Sequence, residues 1–135
     1  MVVKLVSFII AARHTYQCLK VTDMSKLPTR FVKFQQTYPN VFNAYETLGQ
    51  AASEAGPLDK KQIALVKLGI AAGARLEGAV HSHCRRALEA GATADEIRHV
   101  ILLAVTTLGF PSMMAGLSWV DEILDGKKPE PVNAK

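Results

Sequence analysis

The chain has 135 residues, of which 49% are hydrophobic and 21% charged, which suits one folded domain with a real core and excludes a disordered chain. Its net charge of +4 comes from basic residues scattered among acidic ones rather than clustered, so we expect no nucleic-acid partner. The two cysteines, Cys18 and Cys84, form neither a CxxC motif nor a disulfide framework, which favours a reducing, cytoplasmic compartment.

The N-terminal segment, residues 1–23, starts with an apolar stretch from Val2 to Ala12. This stretch is much shorter than the roughly 20 residues that a membrane span needs, so we expect no membrane anchor. A signal peptide is the alternative, but the charged head is the single Lys4 and no small-x-small cleavage site follows. Because Met24 opens a segment that is typical of the start of a helical domain, we interpret residues 1–23 as an N-terminal extension, native or the result of a misplaced start codon.

Turn signals then predict about six helices in a domain over residues 24–126. Leu27-Pro28 opens a short first helix, and Pro39, which suits a first helical turn, starts a second. The second helix is expected to run to about Ala55, where Gly56-Pro57 ends it.

The third and fourth predicted helices form the centre of the domain. Asp59 is a good N-cap for a third helix over 60–72, whose mostly apolar sequence predicts burial on most sides. The fourth helix is expected from about Leu76 to Ala90, with Gly91 as the residue that ends it.

Thr93 and Glu96 have the spacing of a capping box and predict the start of a fifth helix that continues through Leu108. The triplet Gly109-Phe110-Pro111 should break that helix and begin a sixth, ending near residue 125. Residues 127–135 are a polar tail with two prolines, expected to be frayed. No segment alternates as a strand does, so the predicted class is an all-α, antiparallel bundle.

Candidate chemical groups cluster in the predicted fourth helix. Glu77, His81 and Cys84 have i, i+4, i+7 spacing and so share one helical stripe, while His83 borders the apolar side from the opposite edge. Histidine exchanges protons near neutral pH, and partial burial beside a carboxylate tunes that exchange, so these residues are candidates for acid–base catalysis. The alternative is an exposed Glu77–His81 pair with His83 as a packed histidine.

The spacing of these residues also suits two other uses. One alternative is a metal site with Glu77 and His81 as ligands and His83 or His99 as a third, but no HxxxH or CxxC pattern is present, and we predict no metal and no other cofactor. The other alternative is a redox thiol at Cys84, although a lone cysteine on an inner helical stripe is more typical of packing and no second cysteine lies nearby in the sequence to resolve a sulfenic acid.

The segment that follows these candidates resembles the carboxymuconolactone decarboxylase and alkylhydroperoxidase-D-like family. The resemblance covers about residues 45–124. It rests on His83-x-x-x-Ala87-x-x-x-Gly91-Ala92-Thr93-x-x-Glu96-Ile97, on Gln62-Ile63-Ala64-Leu65-Val66, and on Leu102-Leu103-Ala104…Gly109-Phe110-Pro111.

The resemblance implies an antiparallel helical fold that assembles into a homo-oligomer, a trimer or hexamer, with an active site around the helix that holds His83. One branch of the family decarboxylates a muconolactone acid without a cofactor, and the other reduces peroxides with a CxxC pair. This chain has Leu76 and Ala79 at the expected cysteine positions, which argues against the peroxidase branch, and Gln62 or a neighbour replaces the usual glutamate.

Three functions therefore follow from the sequence. The first is a carboxy-lyase or isomerase-like enzyme acting on a small organic acid, with His83 as acid or base, Glu77 and His81 as its partners, and Arg85 or Arg86 as a clamp for a carboxylate. The second is a peroxidase or redox protein that uses Cys84. The third is a non-catalytic oligomeric binding protein.

Overall fold

The structure is a computed structural model, and it describes residues 28–126 of the chain. Those residues form seven helices and no strand, which confirms the all-α class. The helices are α1 (Thr29–Thr37), α2 (Pro39–Glu54), α3 (Lys60–Gly73), α4 (Glu77–Glu89), α5 (Ala94–Leu102), α6 (Val105–Leu108) and α7 (Phe110–Leu124). The predictions for residues 1–23, including Cys18, and for the tail 127–135 lie outside the described residues.

The predicted N-caps of α3 and α5 are confirmed. The Asp59 carboxylate accepts from the Gln62 backbone N–H at 2.8 Å, and the Gln62 side chain accepts from the Asp59 N–H at 2.9 Å. Thr93 and Glu96 make the same reciprocal pair before α5, at 3.1 and 2.8 Å. Each box satisfies two backbone donors that a helix start would otherwise leave unpaired.

Gly91 ends α4 as predicted, in a conformation that favours glycine. Its φ is +86°, its N–H donates to the Leu88 carbonyl at 3.0 Å, and the Ala92 N–H donates to the Ala87 carbonyl at 2.9 Å. These two bonds define a Schellman motif, which satisfies carbonyls that the helix end would leave free.

The prediction of a continuous fifth helix through Leu108 is wrong. The helix ends at Leu102, a tight turn follows in which the Ala104 N–H donates to the Ile101 carbonyl at 3.0 Å, and α6 begins at Val105. The Ala104 N–H bonds to a carbonyl three residues back rather than four, so the turn tightens there and interrupts the series of α-helical hydrogen bonds. The break before the last helix is as predicted, with Gly109 at φ +85° preceding α7.

The chain divides into two compact units, residues 1–51 and 52–135. In the described part of the first unit, the rings of Phe31 and Phe42 pack edge to face with centroids 5.7 Å apart. Phe34 and Tyr38 make a tilted ring contact at the same distance. Aromatic pairs of this geometry add stability beyond their buried area.

The second unit holds the core, formed by α3, α4, α5 and α7. Helix α4 lies between α3 and α7 and packs most closely against these two. The fully buried larger side chains are Leu68, Val80, Cys84, Ile97, Ile101 and Val120. Lys61 Nζ donates to Glu96 Oε1 at 2.7 Å and so joins α3 to α5 at the surface.

Helix α3 is buried on one side only, so the expectation of burial on most sides is wrong. Ala64, Leu68 and Ala71 face the core, whereas Val66 and Ile70 are 49% and 66% exposed. Apolar content alone does not distinguish a helix enclosed on all sides from one that keeps an apolar outer face. Among the residues that the structure describes, no helix combines the length and the apolar character needed to cross a membrane.

Candidate functional site

Helix α4 carries all four predicted site residues, and its position between α3 and α7 determines what each one meets. Successive residues turn by about 100°, so His81 and His83 point to nearly opposite sides of the helix. Two buried side-chain nitrogens on this helix, His81 Nε2 and His83 Nδ1, have no hydrogen-bond partner within the described residues. Buried polar atoms are nearly always paired, so unpaired ones indicate a place where a ligand, water or ion can bind.

His81 faces α7 and meets a residue that the sequence did not indicate, Glu122. Its Nε2 atom lies 3.2 Å from Glu122 Oε2, and each side chain is 20% exposed. One carboxylate oxygen of Glu77, on the turn before His81, completes a group whose three ligand atoms lie within 4.8 Å of one another. The predicted closeness of Glu77 and His81 is therefore present, with Glu122 as the third member.

His83 faces a different environment, one of positive charge. Burial lowers the pKa of His83 below its usual value, and the charges of Arg86 and Lys67 lower it further. Lys67, on α3, donates from Nζ to the Ser53 hydroxyl at 3.1 Å. A partly buried imidazole near two cations favours its neutral form at neutral pH.

Cys84 points into the core and is fully buried. Burial raises the pKa of its thiol to about 11, and the nearby charge of Arg85 offsets only part of that effect. The nucleophile in cysteine chemistry is the thiolate, which this environment strongly disfavours. The arrangement is that of a packing residue.

The structure thus brings Glu77 and His81 together with Glu122 and sets His83 apart from them, with Lys67 and Arg86. Cys84 joins neither group.

Glu122 and Lys67 were missed because each lies on another helix, and sequence periodicity does not show which helices pack together. Gln62, which the resemblance gives, together with its neighbours, as the place of the missing glutamate, caps α3 at its exposed start and takes no part in either group.

Comparison with known proteins gives a consistent family. A model of the carboxymuconolactone decarboxylase family matches residues 39–122. A curated but uncharacterized protein of Haemophilus influenzae (strain ATCC 51907 / DSM 11121 / KW20 / Rd) is 33% identical over 63 residues, which are 47% of this chain and 56% of that protein. The chain therefore spans little more than half the length of this relative.

Two solved structures have a similar fold. An apo carboxymuconolactone decarboxylase family protein from Legionella pneumophila is 27% identical with a TM-score of 0.64, over 74% of this chain and 89% of that one. A protein of Burkholderia xenovorans LB400, provisionally assigned as a carboxymuconolactone decarboxylase, is 24% identical with a TM-score of 0.56, over 79% of this chain and 89% of that one. The second likeness supports the fold alone.

Proposed function

The chain belongs to the carboxymuconolactone decarboxylase family, and on this premise we propose that it is a cofactor-independent enzyme that moves a proton on a small organic acid, with His83 as the transferring group. The observation that carries the proposal is the buried Nδ1 of His83, which has no hydrogen-bond partner within the described residues. A general acid or base must keep a ring nitrogen available to the substrate. His83 Nδ1 is not engaged by another described residue, and it lies on the helix that the family resemblance identifies as the active-site helix.

The charges around His83 support an anionic substrate. Arg86 and Lys67 lie near enough to lower its pKa, and the causes of that shift within residues 28–126 include no carboxylate. Two cations beside a partly buried ring attract a carboxylate and hold it close to that ring. Of the two arginines predicted as a clamp, Arg86 affects His83, whereas Arg85 affects Cys84.

The reaction class is decarboxylation or a proton shift within the acid. In decarboxylation the bond from carbon to carboxylate breaks, its electron pair stays on the substrate carbon, carbon dioxide leaves, and one proton is taken up at that carbon. In a proton shift, His83 accepts a proton at one position and returns it at another. Both reactions need one exchangeable proton at the ring and the substrate charge held by cations, and neither needs an added redox group.

We also propose that the enzyme is a homo-oligomer. Several large apolar residues of the second unit are exposed in the single chain, among them Ile70 at 66%, Leu103 at 61% and Phe110 at 62%. Exposed apolar residues of this number are typical of a surface that another protein covers. Light scattering on the purified protein measures the mass, which we expect to equal three or six chains.

The test of the enzymatic proposal is carbon dioxide release and substrate loss with carboxylated lactones and related small acids. We expect turnover by the wild type and a loss of at least about 100-fold in His83→Gln, since general acid–base groups contribute about 10²–10⁴-fold. His99→Gln is the matched control, because His99 is an exposed histidine on α5. No turnover of any such acid, or equal turnover in wild type and His83→Gln, would overturn the proposal.

The redox alternative based on Cys84 has its own measurement. Peroxide consumption is followed in the wild type and in Cys84→Ser, and the buried thiol with its pKa of about 11 leads us to expect none that depends on Cys84. Cys84-dependent peroxide consumption would favour the redox function instead.

A further inference from the structure

We propose that Glu77, His81 and Glu122 form a binding site for a divalent first-row transition-metal ion. The site lies at the contact between the first turns of α4 and the end of α7. It is separate from the acid–base function proposed for His83.

The donor set suits such an ion. One imidazole nitrogen and two carboxylate oxygens come from two helices that pack directly against each other. Glu77 and His81 are four residues apart on α4 and so lie on the same face, while Glu122 reaches them from α7. Imidazole with carboxylates is typical of Zn²⁺, Mn²⁺ and Fe²⁺ sites, whereas Mg²⁺ and Ca²⁺ prefer oxygen ligands alone.

The distances fit an ion without rearrangement of the backbone. Zinc binds nitrogen and oxygen at about 2.0–2.2 Å, so two tetrahedral ligand atoms lie about 3.3–3.5 Å apart. His81 Nε2 and Glu122 Oε2 are already 3.2 Å apart. All three ligand atoms lie within 4.8 Å of one another, and rotation about the glutamate side-chain bonds closes the remaining difference.

The unpaired nitrogen of His81 also supports a metal site, independently of the distances. His81 Nε2 is buried, and although Glu122 Oε2 lies 3.2 Å away, it has no hydrogen bond within the described residues. An ion placed between this nitrogen and the two carboxylates would give each of the three ligand atoms a partner.

The number of ligands also has a consequence. Three protein ligands leave at least one coordination position open, as in catalytic rather than structural zinc sites. The bound ion would therefore keep a water molecule or take an anionic ligand from solution.

The experiment is calorimetric titration of the metal-free full chain with Zn²⁺, in a Cys18→Ser background so that the Cys18 thiol does not compete for zinc. We expect one Zn²⁺ per chain. Glu122→Gln and His81→Gln should each weaken binding at least about tenfold, since even outer-shell changes at metal sites cost about 10–100-fold. The visible absorption of Co²⁺ bound in place of Zn²⁺ should be lost in the same variants.

Two controls keep the result specific. Glu89→Gln removes an exposed carboxylate from the same helix and should leave the affinity unchanged. His83→Gln should also leave it unchanged, so that failure of the metal site and failure of the proposed acid–base function are distinguishable. Absence of Zn²⁺ binding, or equal affinities in Glu122→Gln and Glu89→Gln, would refute the site and leave the cluster as a histidine–carboxylate contact.

Discussion

Cys84 gives the sharpest test of the electrostatics inside the helical unit. Its side chain is fully buried, and burial raises the pKa of the thiol to about 11 from an ordinary value of 9.0. At pH 8 an ordinary thiol is about 10% thiolate, whereas one with this pKa is about 0.1%, a difference of about 100-fold. We therefore expect Cys84 to react with a thiol reagent at least about 100-fold more slowly than free cysteine.

The assay uses a Cys18→Ser variant, in which Cys84 is the one remaining thiol of the 135-residue chain. Reaction with a chromogenic disulfide is followed between pH 7 and 10, first in the native protein and then in denaturant. We expect slow reaction in the native state and rapid, complete reaction after unfolding. Native Cys84 that reacts at the rate of free cysteine would refute both the burial and the raised pKa.

The same shift predicts a pH dependence of stability. The raised pKa keeps Cys84 protonated in the folded state between about pH 9 and 11, where the thiol of the unfolded chain loses its proton. The contribution is therefore fully present below pH 9 and is lost as the pH rises to 11, by about 2–3 kcal/mol in the free energy of unfolding. Lysines and tyrosines titrate in the same range, so the measurement is the difference between wild type and Cys84→Ala in urea unfolding. An equal loss in both proteins would contradict the prediction.

Three further predictions concern packing and caps, each measured as the free energy of unfolding in urea. Gly116→Ala places a Cβ 2.8 Å from Ile101 Cγ2, and the resulting overpacking should cost about 1–3 kcal/mol, more than the higher helix propensity of alanine returns. Gly69→Ala is the control, because its Cβ makes only an ordinary 3.5 Å contact with Val100, and this change should be neutral or stabilising. The cost of Gly116→Ala should disappear in an Ile101→Ala background, and persistence there would show that the clash is not its cause. Gly91→Ala should cost about 1 kcal/mol because its φ is +86°, in open space where no clash contributes; an unchanged stability would contradict the strain. Thr93→Ala should lower the free energy of unfolding by about 1 kcal/mol through loss of the N-cap. Thr93→Ser keeps the hydroxyl that accepts from the Glu96 N–H, so it should retain most of the wild-type stability.

The elements of this fold were predictable where a local signal determines them. Asp59, Thr93 and Gly91 act within three residues along the chain, so their side chains or backbone identify helix ends without reference to packing. The break after Leu102 was missed because no glycine or proline marks it. The exposure of Ile70 was missed because an apolar residue has the same sequence pattern whether or not a neighbour covers it.

The site was predictable only in part, for a related reason. Helical spacing placed Glu77 and His81 on one stripe, and that pairing needs only the geometry of α4. Glu122 and Lys67 lie on other helices, and their positions beside α4 depend on how α3 and α7 pack. Sequence spacing therefore identified the helix that carries the histidines, but not the residues of the neighbouring helices, Glu122 and Lys67, that lie near them.

Two histidines separated by one residue thus serve different sides of a single helix. His81 meets carboxylates, which attract a cation, while His83 lies near Lys67 and Arg86, which attract an anion. Because opposite charges surround the two rings, one ligand cannot suit both, and a metal ion bound at His81 does not occupy the place of an acid bound at His83. Within the described residues, the charged groups that lower the pKa of His83 are the cations Arg86 and Lys67, which suits the proposed enzyme, whose substrate would supply the negative charge itself.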